Sequence, residues 1–166
     1  MTPAPHQGAR IVQGMAWFRR RPDRFVLVDV LEPSRTPAED RADQHAALRR
    51  IAAEAVILQD EAESVIAGIR ARQSLGHLAP RGGPVIRQFF ALRDRLPRHC
   101  VDPEDEQVRA FLDVTFHHHA MALATALEFC AVEWRSPEIA RQVDAMDGLG
   151  PPARQLDEVY ATLAAG

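Results

Sequence analysis

The sequence predicts a mainly α protein, an up-and-down helical bundle of about five helices that follows a short N-terminal hairpin or extended arm. Two observations carry this prediction. Thr, Asp or Ser is followed directly by Pro at 36–37, 102–103 and 136–137, the pattern of a helix N-cap with proline at the first helical position. Behind these starts, apolar residues recur at spacings of three and four, the period of one helix face.

The N-terminal 35 residues differ from the rest of the chain. The run 25–31, Phe-Val-Leu-Val-Asp-Val-Leu, is short and β-branched and lies between Pro22 and Pro33, which predicts a strand. The apolar run 11–18 could pair with it as a hairpin or form a helical turn, and an arm swapped across a dimer is a third arrangement. We therefore expect residues 1–35 to form an arm or hairpin that is not an independent domain, and residues 36–166 to form the bundle domain.

The first helix has the strongest start in the chain. Thr36-Pro37-Ala38-Glu39 combines an N-cap threonine with a glutamate at the third helical position, which is a capping box. Apolar residues then follow at helical spacing as Leu48, Ile51, Ala55, Leu58, Ala62, Val65 and Ile69. With Gly76 as the stop, the prediction is one helix over about 37–74.

Turn and cap residues divide the remaining chain. Gly82-Gly83-Pro84 predicts a turn, with Pro84 opening a second helix that ends near Leu96. The other predicted helices run over 103–134, from 137 to Gly148, and from Pro151 onward. We expect the two long helices, 37–74 and 103–134, to be antiparallel and joined by the shorter one.

Composition excludes several classes of chemistry. All 20 basic residues are arginine, so lysine Schiff bases, pyridoxal phosphate attachment and the lysine of a phosphate-binding loop are ruled out. A formal net charge of -3 provides no general attraction to nucleic acid or anionic membranes. Two cysteines and no secretory signal predict a cytoplasmic protein, and no apolar run is long enough for membrane insertion.

The triplet His117-His118-His119 is the main candidate for chemistry. At about 100° per residue, three adjacent imidazoles cannot share one helix face. His117 follows a polar stripe and is predicted to be exposed. His118 shares its side with Phe111, Val114, Met121 and Val132, so we expect it, like His119, to be buried.

His119 lies on a row rich in small residues, which either allows a neighbouring helix to approach closely or leaves a pocket. The candidate ligand-binding residues at such a pocket are Thr115, His118, His119 and Cys130. Cys130 lies about three turns, roughly 16 Å, from His119. That separation is too long for proton transfer between the two residues.

No cofactor is predicted, although imidazole makes a metal possible. The candidate metal ligands are His118, His119, Glu54 and Glu61. Their spacing argues against the site, because two ligands on one helix face need a separation of three or four residues. Adjacent histidines would each need ligands from other helices.

A third candidate is the arginine cluster Arg19, Arg20, Arg21 and Arg24. Trp17, Phe18 and Phe25 stand beside it, a composition typical of contact with phosphate or another partner. Four arginines in a net-negative chain more commonly form a solvated loop. Nucleic acid is therefore disfavoured as a partner.

The functional hypothesis is a non-enzymatic helical interaction or regulatory protein that forms a homodimer, with another protein or a small molecule as further partners. The alternative is a bundle that binds a small ligand or metal in a pocket near His118 and His119, with acid/base catalysis as an added activity.

Overall fold

Five helices form the part of the chain that the structure, a computed structural model, describes, residues 36–131 and 136–165. They are α1 (Pro37–Arg70), α2 (Leu75–Asp94), α3 (Pro103–Ala131), α4 (Pro137–Asp144) and α5 (Pro151–Ala165). No strand occurs among these residues, so the predicted all-helical bundle is confirmed. The predicted N-terminal strand, hairpin or arm lies outside the described residues.

The capping box at the start of α1 is confirmed. The Glu39 backbone N–H donates to Thr36 Oγ1 at 3.3 Å, and the Thr36 N–H donates to the Glu39 carboxylate at 2.8 Å. The predicted end near Ser74 is wrong by four residues, because α1 ends at Arg70. Arg72 takes a left-handed φ of 60°, and Ser74 is already the N-cap of α2.

The predicted turn at Gly82-Gly83-Pro84 is also wrong, since α2 runs through all three residues. Its buried side chains recur at helical spacing on both sides of the glycines, at Leu78, Val85, Phe89 and Leu92. Gly82 lies on this buried row. A Cβ at Gly82 would be 2.9 Å from Leu127 Cδ1 of α3 and 3.3 Å from Val65 Cγ1 of α1. Close packing between helices therefore outweighs the local turn preference of the sequence.

The three longest helices run up, down and up, so α1 and α3 are parallel. At one end His45 of α1 meets Asp105 of α3, and farther along Gln59 meets His119. Both pairs are 60 residues apart, a constant offset that only parallel helices give. The expectation of antiparallel long helices is wrong because α2 spans the bundle and reverses the chain once more.

The C-terminal helices close the side of α1 that α2 and α3 leave free. Helix α4 ends at Asp144 rather than at the predicted Gly148, and α5 starts at Pro151 as predicted. Between them, Leu149 is buried and its N–H donates to Glu63 Oε1 of α1 at 2.8 Å. Helix α5 packs against α1 and α3 through Leu156 and Leu163.

Gly82 and Gly83 provide a matched test of this fold. We expect Gly82→Val to lower the free energy of unfolding by about 1–3 kcal/mol, because its side chain overpacks the contact with Leu127. Gly83→Ala should raise it by about 0.5–1 kcal/mol, because a Cβ at position 83 would make only an ordinary contact, 3.7 Å from Arg87 Nη1, and alanine favours a helix. Urea denaturation of both variants measures the difference, and destabilisation by Gly83→Ala would support a turn instead of a continuous helix.

Candidate functional site

Helix α3 is turned so that one member of the histidine triplet faces the core. His119 has no exposed surface and lies on the buried row with Leu112, Thr115, Leu123 and Ala126. The Phe89 ring of α2 meets the imidazole edge to face, with ring centroids 5.3 Å apart. Close packing, rather than a pocket, therefore surrounds this ring.

The other two histidines point outward. His117 is exposed as predicted, and its ring meets Phe90 of α2 at a centroid distance of 6.2 Å. His118 is exposed as well, so the expectation that it is buried is wrong. Its row partners Val114 and Met121 are 68% and 47% exposed, which shows that this whole side of α3 has no helix packed on it within the described part of the chain.

A polar relay through the core holds His119. Its Nε2 lies 2.9 Å from Gln59 Oε1 of α1, and the Gln59 amide donates to Asp157 Oδ1 of α5 at 3.1 Å. Gln59 is only 5% exposed. The three residues join α3, α1 and α5 in one hydrogen-bonded row.

The relay also fixes the tautomer of His119. An ionised carboxylate can only accept, so Asp157 requires the NH₂ group of Gln59 and leaves its Oε1 for the histidine. Nε2 of His119 must then carry the proton, and Nδ1 is an acceptor. Nδ1 is buried and has no hydrogen-bond partner among the described residues.

Burial and the nearby His118 lower the pKa of His119 to about 4 from its ordinary 6.5. Charging this ring would place a cation in the apolar core, where the Nδ1 proton would find no acceptor among the described residues. At neutral pH, His119 is therefore a neutral structural group, and it carries no proton that it could donate as a charged acid.

The remaining ligand-site candidates are buried but do not form a reactive set with His119. Thr115 is 2% exposed and lies one turn before the histidine. Cys130 is 8% exposed, and burial raises the pKa of its thiol. A thiol with a raised pKa is a poor nucleophile, so Cys130 fits a small core residue.

The candidate metal ligands are not assembled. Glu54 forms a bidentate pair with Arg95, with N–O distances of 2.5 and 2.7 Å, and Glu61 receives Arg81 at 2.9 and 3.1 Å. Within residues 36–131 and 136–165, no three His, Cys, Asp or Glu side chains come together as a metal site. The cluster of Arg19, Arg20, Arg21 and Arg24 lies outside the described residues.

The outward side of α3 carries two of the four exposed large apolar side chains among the described residues, Val114 and Met121. We call it the outer stripe. It consists of Ala110, Val114, His117, His118, Met121 and Thr125, all exposed. Between positions 107 and 127 of α3, none of the exposed residues is Asp, Glu or Arg. The stripe is therefore a strip of apolar, imidazole and hydroxyl groups, without carboxylate or guanidinium, that extends for about 22 Å along the helix.

Charged residues border the stripe but are paired within the chain. Arg93 Nε of α2 donates to Asp113 Oδ1 at 2.6 Å, and Arg109 Nη2 binds Glu106 Oε1 at 2.7 Å. Arg93 lowers the pKa of Asp113, and Arg109 together with the Cys100 backbone N–H lowers that of Glu106 to about 2. Ion pairs thus line one edge of the stripe.

Sequence reasoning missed Gln59 and Asp157. A signal for Gln59 was present, since it interrupts a helical row of buried residues, Ala52, Ala55, Ala62 and Ile66. A polar residue on such a row needs a buried hydrogen-bond partner. Asp157 carries no comparable signal, because it lies on the exposed side of α5.

Comparisons of this chain with protein-family models, with curated proteins and with solved structures give no match. Over residues 36–131 and 136–165, no helix has the combination of length and apolar character that crossing a bilayer requires.

Neutral His119 should make stability depend on pH. The folded protein binds a proton at this ring with a pKa of about 4, whereas the unfolded chain binds it near 6.5. The stability that depends on neutral His119 is therefore fully present above the unfolded-state pKa of 6.5, and it is lost as the pH falls toward 4. From about pH 7 to about pH 5 we expect a loss of about 2 kcal/mol. Urea denaturation at both values measures it.

His119→Gln is the control for this effect, because it removes the titrating ring and leaves every carboxylate in place. The variant should lose less stability over the same pH range, by about the same 2 kcal/mol. Equal pH dependence in the two proteins would contradict a depressed pKa at His119.

Proposed function

We propose that this protein is a non-enzymatic helical interaction protein and that the outer stripe of α3 is its contact surface. The exposure of Val114 and Met121, 68% and 47%, on one strip without charged side chains carries the proposal. Contiguous exposed apolar surface is typical of sites where a protein binds another. The proposed partners are a second copy of the chain or another protein.

Covering the apolar side chains of the stripe would lower the free energy. Fully burying an exposed valine or methionine side chain contributes about 1.5–3 kcal/mol, and a partner would gain the part that corresponds to the 68% and 47% of Val114 and Met121 still exposed. His117 and His118, which lie between Val114 and Met121, add flat ring surface for contact. Their ring nitrogens can hydrogen-bond to water when no partner is bound. A partner helix laid along the stripe would cover all of these groups at once.

Two other large apolar residues of the described chain are exposed away from the stripe, Val101 in the loop before α3 and Ile57 of α1. Ile57 of α1 is 70% exposed and borders an open groove of about 290 Å³ between α1 and α2. The Glu54–Arg95 ion pair also lines that groove. Leu58, Ala91 and Leu92 line the same groove. Ile57 provides a control position for tests of the stripe because it is exposed on α1 and not on α3.

The alternative function, a ligand or metal pocket near His118 and His119 with acid/base catalysis, has less support. Phe89 and Gln59 pack against His119, and His118 is on the exposed side of the helix. The unpartnered Nδ1 of His119 is the single feature in its favour.

The proposed location is the cytoplasm, which fits two unpaired cysteines, Cys100 and Cys130.

Photocrosslinking in cells tests the proposed function. With a photoreactive phenylalanine analogue in place of Val114, we expect covalent adducts to a protein partner on irradiation. The same analogue in place of Ile57 is the control and should give few. Adding Met121→Glu to the Val114 probe should abolish its adducts, because a carboxylate would have to be buried in the contact.

Equal adduct yields at positions 114 and 57, or adducts that survive Met121→Glu, would contradict a specific contact at the outer stripe. Circular dichroism of the purified variants shows whether each remains folded.

A further inference from the structure

We infer that the outer stripe binds a second copy of the same chain, with two α3 helices packed antiparallel about a two-fold axis that passes between His117 and His118. This inference rests on the proposed function and adds the partner and the register. It follows from the spacing of the exposed residues and from the absence of Asp, Glu and Arg among them.

The spacing of the outer stripe is the same in both directions. Its residues Ala110, Val114, His117, His118, Met121 and Thr125 are separated by four, three, one, three and four positions. A two-fold axis reverses the second helix, so residue i contacts residue j and residue j contacts residue i. In this register Ala110 lies opposite Thr125 of the second copy, Val114 opposite Met121, and His117 opposite His118.

The side chains in these pairs also fit in size. Ala110 and Thr125 are both small, so their pairs at the two ends of the stripe allow the helix backbones to approach. A helical threonine hydroxyl can donate to a carbonyl of the preceding turn of its own helix, so Thr125 has a hydrogen-bond acceptor within reach when it is covered. Val114 and Met121 fill the space on either side of the axis, where a straight-chain methionine adapts well to a β-branched neighbour.

A second copy would meet no like charge along the stripe and would have polar partners at its ends. A single charge on the stripe would be buried beside an uncharged residue of the second copy, and no Asp, Glu or Arg is exposed on the stripe between positions 107 and 127. Beyond its ends, exposed Gln107 and Glu128 lie at matching heights in this register. The Gln107 amide of one copy can donate to the Glu128 carboxylate of the other.

The bordering charges do not oppose this contact. Glu106 and Asp113 are each neutralised by an arginine of their own chain. A basic or acidic partner would find no carboxylate or guanidinium to pair with along the stripe itself. The mirrored spacing lets the same residues of two copies meet in both directions, and a helix face without such charges does not repel a copy of itself.

Disulfide trapping of the full-length chain tests the register. In the proposed dimer, position 114 of one copy faces position 121 of the other, within reach of a disulfide. Two copies of position 114 lie about 10 Å apart along the helix axis, too far for a bond. A mixture of Val114→Cys and Met121→Cys proteins should therefore form a covalent dimer on mild oxidation, and each alone should not.

The matched control is Ile57→Cys, which is also exposed and should give no dimer when mixed with either variant. The unsubstituted chain measures the background from Cys100 and Cys130. Rapid bonding of Val114→Cys with itself, or equal bonding in the Ile57→Cys mixtures, would overturn the antiparallel register.

Charge substitution tests the same contact without cysteine. Val114→Glu and Met121→Arg should each weaken dimerisation at least about tenfold in sedimentation equilibrium, because each buries an unpaired charge. The double variant should recover most of the lost affinity, since the introduced carboxylate of one copy then faces the introduced guanidinium of the other. Ile57→Glu should leave the dimer unchanged.

The outcomes separate this inference from the proposed function. A chain that stays monomeric at high concentration overturns the second-copy inference, as does failure of the double variant to recover. If the cellular adducts at position 114 then contain a different protein, the proposed function stands. If adducts are absent as well, both are overturned.

Discussion

The rotation of α3 about its own axis is the constraint on which the proposed contact surface depends. Because adjacent helical residues diverge by about 100°, burying His119 turns His117 and His118 away from the core. The same rotation exposes Val114 and Met121. A polar relay through Gln59 to Asp157 holds the buried ring, and together with the buried apolar row of α3 it keeps His117 and His118 on the outer side.

Parallel α1 and α3 make this relay possible. Helix α2 spans the bundle and reverses the chain, which brings α1 and α3 into the same direction with an offset of 60 residues. His45 meets Asp105 at one end, and Gln59 meets His119 near the middle. At the opposite end of the bundle from His45, Gly82 of α2 lies close to Val65 of α1 and Leu127 of α3.

The sequence was sufficient to predict the helical class, the capping box at Thr36 and the starts of α1, α3, α4 and α5. It was insufficient for α2, because a glycine pair followed by proline is a local turn signal, whereas the buried row from Leu78 to Leu92 acts through tertiary contacts. The same limit explains why His118 was wrongly predicted to be buried. Its apolar row partners suggested burial, but the side of α3 that packs is decided by helices distant in sequence, and Val114 and Met121 remain exposed.

Histidine-ring NMR tests the rotation of α3 most directly. In protein labelled with ¹⁵N, two-bond ¹H–¹⁵N spectra report the tautomer and charge of each imidazole, and His119→Gln identifies the signals of His119 by their loss. We predict a neutral ring protonated at Nε2 that stays neutral as the pH is lowered to about 5, consistent with a pKa of about 4. A His119 ring that is charged at about pH 6, or protonated at Nδ1, would contradict the account.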